Sequence, residues 1–351
     1  MGKMTSRERF LKAVCGERPD RVPIFDFLFQ KDIYEATIGR RPKSYNARDA
    51  VECTLALDLD AVWVPFGGFQ GWEPKYLSEN IYQDEWGTTL QVSESAWPID
   101  APIDFPIKDR KDLQAYKAPD PLAPGRLQEV KTALDMVGGK IAVLGGVQGP
   151  LTTAWLIMGP TKIMYSFYDD PQLLRDVFKL SNDFFIEAAR LLEEAGIDAI
   201  FVSEDLGASA GPLFSLQMFR EFILPYFVEL VSSIHVPVLL HSCGNINIFL
   251  DDLVATGIKA IHPLQRTAGM DLKTVKEKYG NKIAIIGNVD SSRTLPEGTE
   301  EDVEREVQEC IEIAAPGGGY VLASDHSLHD GIPVKNILKM IEAGKKYGVY
   351  E

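Results

Sequence analysis

An alternation of short apolar runs with longer amphipathic segments extends along the whole chain and constrains the fold more than any other feature. Several runs are apolar almost throughout, among them AVWVPF, IAVLGG, VPVLL and IAIIG. Such runs are typical of parallel strands that helices cover on both faces. The pattern predicts eight strands: Val22–Phe27, Ala61–Phe66, Lys140–Gly146, Asp198–Glu204, Val236–Cys243, Gly257–Pro263, Lys282–Asn288 and Gly319–Ser324. Eight strand–helix units predict a (β/α)8 TIM barrel.

A doubly wound α/β sheet is the competing fold. It usually has a glycine fingerprint directly after its first strand. Here the first strand is followed by LFQKDIYEA, which has no glycine. The barrel is therefore favoured, and residues 1–351 suit one barrel domain. The segment 67–139 between strands two and three is rich in aromatic residues and proline. We interpret it as an insertion that forms a lid over the barrel mouth.

The composition excludes several classes of partner. Lys and Arg number 36 against 51 Asp and Glu, which gives a net charge of −15. Nucleic acids and anionic membranes demand clustered basic residues, so neither is an expected partner. No apolar run approaches the roughly 18 residues that span a bilayer, and the first residues lack the apolar core of a signal peptide. The four Cys residues are too few and too spread for a disulfide framework. We therefore expect a reduced, cytoplasmic enzyme.

The most informative site pattern is His241-Ser242-Cys243, at the end of the fifth predicted strand. Barrels place their reacting groups at the C-terminal ends of strands, and side chains two apart on a strand face the same side. Zinc binds nitrogen and sulfur donors, and a catalytic zinc takes three protein ligands with one open position. His326, at the end of the eighth strand, is the expected third ligand. In the alternative interpretation, Cys243 and His241 are ordinary core residues.

Two acidic positions lie near the same strand ends. Glu204 and Asp205 are adjacent, so one of them should face the mouth as a fourth ligand, a proton shuttle or a substrate clamp. A helix cap or a salt bridge is the equally open alternative. Asp325 is expected to orient a metal-bound imidazole or to cap a turn. His262 precedes Pro263 and is interpreted as a packing residue.

Aromatic residues surround Gly67-Gly68 at the end of the second predicted strand. Trp63, Phe66 and Phe69 would form an apolar pocket for a flat ligand. Aromatic walls with few polar groups are typical of small-molecule sites. Ordinary core and lid packing is the alternative for each of these residues alone.

Six segments resemble the uroporphyrinogen decarboxylase superfamily, nearly from end to end of the chain. They are SRERFLKAVCGERPDRVPIFDF, GGVQGPLTTAWLIMG, GPLFSLQMFREFILPYF, LLHSCGNI, AIIGNVDSSRTLPEGTEEDVEREV and GGYVLASDHS. The resemblance implies a (β/α)8 barrel. Gln148 and Asn288, which lie in the second and fifth of these segments, are expected to bind substrate.

Two branches of this superfamily are distinguished by their site residues. The decarboxylases carry paired arginines after the first strand and an Asp at the end of the second, whereas this chain reads FDFLFQKD and PFGG there. The zinc-dependent, corrinoid-linked methyltransferases carry His-x-Cys on strand five and a Cys on strand eight. His241 and Cys243 match that pair, and His326 stands in place of the second Cys. The resemblance thus implies a zinc site with two nitrogens and one sulfur.

The expected function is that of a corrinoid-dependent methyltransferase that uses zinc to activate a methylated small molecule, for example to O-demethylate a methoxyarene. Glu204 or Asp325 would protonate or orient the leaving oxygen. The chain has no Asp-x-His-x-x-Gly segment, so the corrinoid should arrive on a separate carrier protein. A decarboxylase acting on a small acid is the alternative. A non-catalytic protein that binds a corrinoid or a tetrapyrrole is a third hypothesis.

Overall fold

Parallel strands form the centre of the structure, a computed structural model that describes residues 4–350. The strands in chain order are β1 Leu28–Phe29, β2 Ala61–Pro65, β3 Lys75–Ser78, β4 Ile81–Gln83, β5 Thr89–Gln91, β6 Ala101–Asp104, β7 Ala142–Gln148, β8 Ala199–Ser203, β9 Gly207–Ala208, β10 Gly211–Pro212, β11 Val238–His241, β12 Ala260–His262, β13 Ala284–Val289, β14 Tyr320–Ser324 and β15 Leu328–His329.

Helices surround these strands. In chain order they are α1 Ser6–Val14, α2 Lys31–Ile38, α3 Ala47–Ala56, α4 Arg110–Ala115, α5 Gln128–Val137, α6 Pro150–Met158, α7 Pro160–Asp169, α8 Pro171–Ala195, α9 Leu216–Met218, α10 Leu224–Ser233, α11 Leu250–Ala255, α12 Leu272–Tyr279, α13 Thr294–Glu297, α14 Glu300–Ala314 and α15 Val334–Tyr347. None of the helices within residues 4–350 is long and apolar enough to cross a membrane.

Seven strands form one parallel sheet in the order β14-β13-β12-β11-β8-β7-β2. The first predicted strand closes this sheet into a barrel. On one side, the Phe25 amide donates to the Leu322 carbonyl, and the Leu322 amide donates to the Pro23 carbonyl. On the other side, the Asp60 amide donates to the Ile24 carbonyl next to β2. The predicted (β/α)8 TIM barrel is thereby confirmed.

The segment 67–139 folds as a small sheet followed by two helices. Strands β3 to β6 pair antiparallel in sequence order. Trp97, which lies between β5 and β6, packs its ring against Tyr34 and Tyr45. Helix α5, however, packs on β2 and β7 as part of the helical layer of the barrel. The part of the chain that departs from the barrel pattern is therefore shorter than the interpreted insertion.

A buried ion-pair cluster joins α1 to the start of β2. Asp60 is fully buried. Its carboxylate accepts hydrogen bonds from Arg9 Nη1 at 2.6 Å, from Arg21 Nη1 at 2.9 Å and from the Ile24 amide at 2.7 Å. Arg9 is itself buried and also bonds to Asp20. This one carboxylate therefore connects the N-terminal helix, the first barrel segment and the second strand.

Candidate functional site

Three potential metal ligands meet at the C-terminal ends of β8 and β11. One ligand atom from each of Asp205, His241 and Cys243 lies within 4.8 Å of the other two. His241 ends β11 and is in register with Ser203 of β8. Its Nε2 lies 3.7 Å from Asp205 Oδ1, and the Cys243 amide donates to the same oxygen at 3.2 Å. The strand ends thus bring nitrogen, sulfur and oxygen donors to one point.

Two glycines allow the loops that carry these ligands to touch. Gly244 follows Cys243 with a φ of 75°, which glycine adopts without a steric penalty. A Cβ at Gly244 would lie 2.3 Å from the carbonyl carbon of Gly207, which begins the short strand β9 after β8. The Asn245 amide also donates to the Ala208 carbonyl at 3.1 Å. This backbone contact keeps Asp205 beside Cys243.

Burial sets the protonation states of His241 and Cys243. Desolvation lowers the pKa of His241 to about 4. Desolvation, and secondly the charge of Asp205, raise the pKa of the Cys243 thiol well above its ordinary value. Without a metal, the site near neutral pH therefore holds a neutral imidazole and a thiol. A bound cation would displace the thiol proton, because a metal ligand must be deprotonated.

His326 lies next to this cluster. Its ring centroid is 6.0 Å from that of His241, and its Nδ1 lies 3.0 Å from Ser327 Oγ. With a Zn–N bond of about 2.1 Å, two imidazoles on one tetrahedral ion have centroids roughly 5 Å apart. The observed separation is within about 1 Å of that value. In the described part of the chain, His326 is outside the three-residue group, so its role as a ligand stays a prediction.

The donor chemistry of the cluster fits a zinc ion. Imidazole nitrogen, thiolate sulfur and carboxylate oxygen are the ligands that zinc takes in proteins. Asp205 supplies the oxygen, which agrees with the expectation that one of Glu204 and Asp205 faces the mouth, although Glu204 was the acid expected to act in catalysis. The sequence signal for Asp205 is its position next to Glu204. Neighbouring side chains on a strand point to opposite faces, so Asp205 faces the cluster if Glu204 points away from it.

Glu204 points away from the cluster. Its carboxylate accepts hydrogen bonds from the amides of Leu151 and Thr152 at 3.1 and 3.0 Å, in the first turn of α6. The side chain is fully buried, and desolvation raises its pKa to about 8. Glu204 thus caps a helix, as the alternative interpretation expected, because the orphan amides at the start of α6 need acceptors; its catalytic role stays a prediction.

Asp325 connects two loops rather than orienting an imidazole. Its Oδ1 accepts from the amide and the hydroxyl of Ser291 at 2.8 and 2.6 Å. Its Oδ2 accepts from the Arg266 amide at 2.9 Å. Burial raises the pKa of this carboxyl. The turn-capping alternative therefore describes Asp325 better than the predicted catalytic role.

An aromatic cluster lies beside His241. The ring centroids of Phe27 and Trp63 are 5.1 Å apart, and those of Phe27 and His241 are 5.7 Å apart. Phe29, Tyr45 and Phe69 extend the cluster. We call Phe27, Phe29, Tyr45, Trp63 and Phe69 the aromatic wall. The sequence analysis missed Phe27 and Phe29, although their two-residue spacing in FDFLF indicates one shared face.

The other residues that were expected to bind substrate, Phe66, Asn288 and Gln148, lie in different surroundings. Phe66 packs its ring against Phe184 at 6.0 Å, outside the aromatic wall. Asn288 is buried, and its side-chain amide donates to the Leu264 carbonyl at 2.9 Å. Gln148, at the end of β7, is only partly buried and accepts from Thr153 Oγ1 at 3.3 Å. The substrate contacts expected of these three residues stay predictions.

Comparisons with known proteins relate the whole chain to one family. The family described as Uroporphyrinogen decarboxylase (URO-D) matches residues 84–347. The chain is 24% identical to the Methylcobamide:CoM methyltransferase MtaA of Methanosarcina barkeri over 360 residues, which cover 99% of each chain. It is 28% identical to the Uroporphyrinogen decarboxylase of Vibrio vulnificus (strain YJ016) over 279 residues, which cover 74% of each.

One solved structure has the same fold over nearly the whole chain. The structure of a methyltransferase from Methanosarcina mazei superimposes with a TM-score of 0.76 at 23% identity. The match covers 98% of this chain and 99% of the other. At this level of identity the likeness supports the barrel fold and does not by itself assign an activity.

Proposed function

The chain belongs to the uroporphyrinogen decarboxylase family, and within that family we propose that it is a corrinoid-dependent methyltransferase with a zinc site. The convergence of Asp205, His241 and Cys243 at the barrel mouth is the observation that carries this proposal. A decarboxylase needs no such donor set. The relatives named methylcobamide:CoM methyltransferases, which match 99% of this chain, support the same choice.

His241, Cys243 and Asp205 would hold the zinc ion, with His326 beside them. When bound, zinc supplies a Lewis acid without a prior proton transfer. The residues of the chain position the substrate around this ion. The aromatic wall orients a flat substrate and excludes water from the face next to His241. Asp205 is partly exposed, so the ligand cluster is open to a substrate that enters at the mouth.

We propose a methyl ether, such as a methoxyarene, as the methyl donor. One sulfur among nitrogen and oxygen donors makes a harder site than a thiolate-rich one, and harder sites favour oxygen ligands. A methyl ether that loses its methyl group to a reduced corrinoid leaves an oxygen carrying the bonding electrons. An aryl group bonded to that oxygen matches the five rings of the aromatic wall. The corrinoid would be carried by a separate protein, docked over the barrel mouth.

An assay with free cobalamin tests the function. The zinc-loaded protein would be incubated with reduced cobalamin and, in turn, methoxyarenes, methylamines and methylated thiols, while the corrinoid absorbance is recorded. We expect methylcobalamin to form with a methoxyarene and not with the metal-free protein. Transfer from a thioether alone would overturn the proposed donor and leave the enzyme class intact. Corrinoid-independent release of CO2 from a small acid would support the decarboxylase instead. Tight cobalamin binding without transfer would indicate a binding protein.

Phe69→Ala is expected to raise KM for the aromatic donor about tenfold, because it removes one ring from the aromatic wall at a cost of roughly 1–1.5 kcal/mol of binding. Phe66→Ala is the matched control, since that ring packs against Phe184 outside the wall. It should leave KM within about twofold of the wild-type value. Steady-state kinetics with a methoxyarene measure both. An equal rise in KM for the two variants would contradict the placement of the substrate.

A further inference from the structure

His262 forms a hydrogen bond with the proposed metal ligand His241. The two residues are register partners at the ends of β12 and β11. Their Nδ1 atoms lie 2.8 Å apart, and their rings are inclined by 33°. His262 is fully buried. The sequence analysis interpreted it as a packing residue, because nothing in the local pattern shows that strand pairing places it against His241.

A hydrogen bond between two Nδ1 atoms couples the tautomers of both rings. Only one proton lies between the two Nδ1 atoms when both imidazoles are neutral, so one Nδ1 donates and the other accepts. If His241 donates, its Nε2 carries a lone pair. That Nε2 is the atom that lies 3.7 Å from Asp205 in the ligand cluster. If His241 accepts instead, its Nε2 carries a proton and cannot bind a metal.

The surroundings of His262 decide between these arrangements. Its Nε2 is buried and has no hydrogen-bond partner in the described part of the chain. The His262 ring lies among the rings of Phe27, Phe201 and Phe25, with centroid–centroid distances of 5.2, 5.6 and 6.4 Å and interplanar angles of 84°, 87° and 70°. Aromatic faces carry negative charge. A ring N–H can interact with a neighbouring π face, whereas an unpartnered lone pair buried among apolar rings has no donor to accept from. The proton of His262 therefore belongs on Nε2, and its Nδ1 accepts.

We propose that His262 is a positioning residue that holds His241 as the Nδ1–H tautomer, with its Nε2 lone pair directed at the ligand cluster. The use of that lone pair rests on the zinc site proposed above. The tautomer itself does not: it rests on the hydrogen bond and the phenylalanine rings, whose effect must exceed the attraction of the Asp205 carboxylate, 3.7 Å from His241 Nε2, for a proton on that nitrogen. Outer partners of this kind fix the orientation and the basicity of a ligating imidazole.

The tautomers can be measured directly on the full-length, metal-free protein. Long-range ¹H–¹⁵N correlation spectra of the ¹⁵N-histidine-labelled protein distinguish protonated from unprotonated ring nitrogens. We expect Nδ1–H at His241 and Nε2–H at His262, with assignments from the spectra of the His262 variants. The reverse pair of tautomers would overturn the proposal. This result does not depend on whether the protein binds zinc.

The zinc affinity of His262 variants tests whether the Nδ1 acceptor of His262 supports metal binding by His241. His262→Phe suits the phenylalanine surroundings but removes the acceptor, so we expect zinc to bind about 10–100-fold more weakly, as measured by chelator competition. His262→Gln keeps a carbonyl acceptor and should restore the affinity to within about threefold of wild type. Phe178→Leu, which alters the packing of a buried ring against Tyr226 and leaves the rings around His262 in place, is the structural control and should not change it. Equal affinities in the Phe and Gln variants would overturn the positioning role. Absence of zinc binding in the wild-type protein would instead refute the proposed function.

Discussion

Cys243→Ala is expected to lower the zinc content from about one equivalent per chain to background. The variant should also lose methyl transfer by at least roughly a thousandfold, which corresponds to several kcal/mol of Lewis-acid stabilisation. The reason is geometric: Cys243 supplies the single sulfur in a group whose other members are a carboxylate and an imidazole. A remaining pair of donors cannot complete the three-ligand set of a catalytic zinc. Elemental analysis of the freshly purified protein measures the metal.

Cys53→Ala is the matched control for this variant. Cys53 is likewise a free cysteine, buried where Cys243 is partly exposed, and it lies in α3, where its Sγ is 3.2 Å from Thr37 Oγ1. Its removal should leave zinc content unchanged. His241→Ala should behave like Cys243→Ala. If the Cys243→Ala protein retained a full equivalent of zinc, sulfur would not be a ligand, and the proposed site would fail.

Asp60→Asn is expected to lower the free energy of unfolding by about 3–5 kcal/mol, the usual cost of removing one partner of a buried ion pair. The carboxylate is fully buried and accepts from Arg9, Arg21 and the Ile24 amide. The uncharged amide leaves the buried Arg9 guanidinium undercompensated. Its NH2 group also faces donors where the carboxylate presented acceptors. Because these bonds join the first barrel segment to β2, the closure of the barrel is weakened.

Asp183→Asn is the control for the charge change alone. Asp183 pairs with Lys179 at 2.8 Å on the exposed face of α8. Such surface pairs contribute about 0–1 kcal/mol. Urea denaturation of both variants, monitored by circular dichroism, measures the difference. A loss below about 1 kcal/mol for Asp60→Asn would show that the cluster at the base of the barrel is not a major source of stability.

The apolar runs carried enough information to predict the barrel. Seven of the predicted strands overlap a strand of the central sheet, from Ala61–Pro65 to Tyr320–Ser324, and five of them contain the observed strand completely. The reason is that a strand buried on both faces must be apolar at nearly every position, which is a local property. The same local rule placed His241 and Cys243 on one side of a strand end, and the structure brings them together.

The sequence could not decide between neighbouring side chains. Glu204 and Asp205 are both acids, and only one faces the cluster. The choice depends on α6, whose first amides lie where they bond the Glu204 carboxylate. Phe66 and Phe69 are separated in the same way, because Phe184 of the long helix α8 provides a separate apolar surface for Phe66.

The sequence by itself determined the class of fold, the strand ends that carry polar groups and the shared side of His241 and Cys243. These follow from periodicities of two and 3.6 residues, which are properties of the chain alone. Only the tertiary structure decided that Asp205 joins them and that His262 lies beside His241 on the neighbouring strand. Those contacts join residues far apart in sequence. Buried amides, aromatic rings and carboxylates each need a partner, and the packing of the whole barrel determines which partners are within reach.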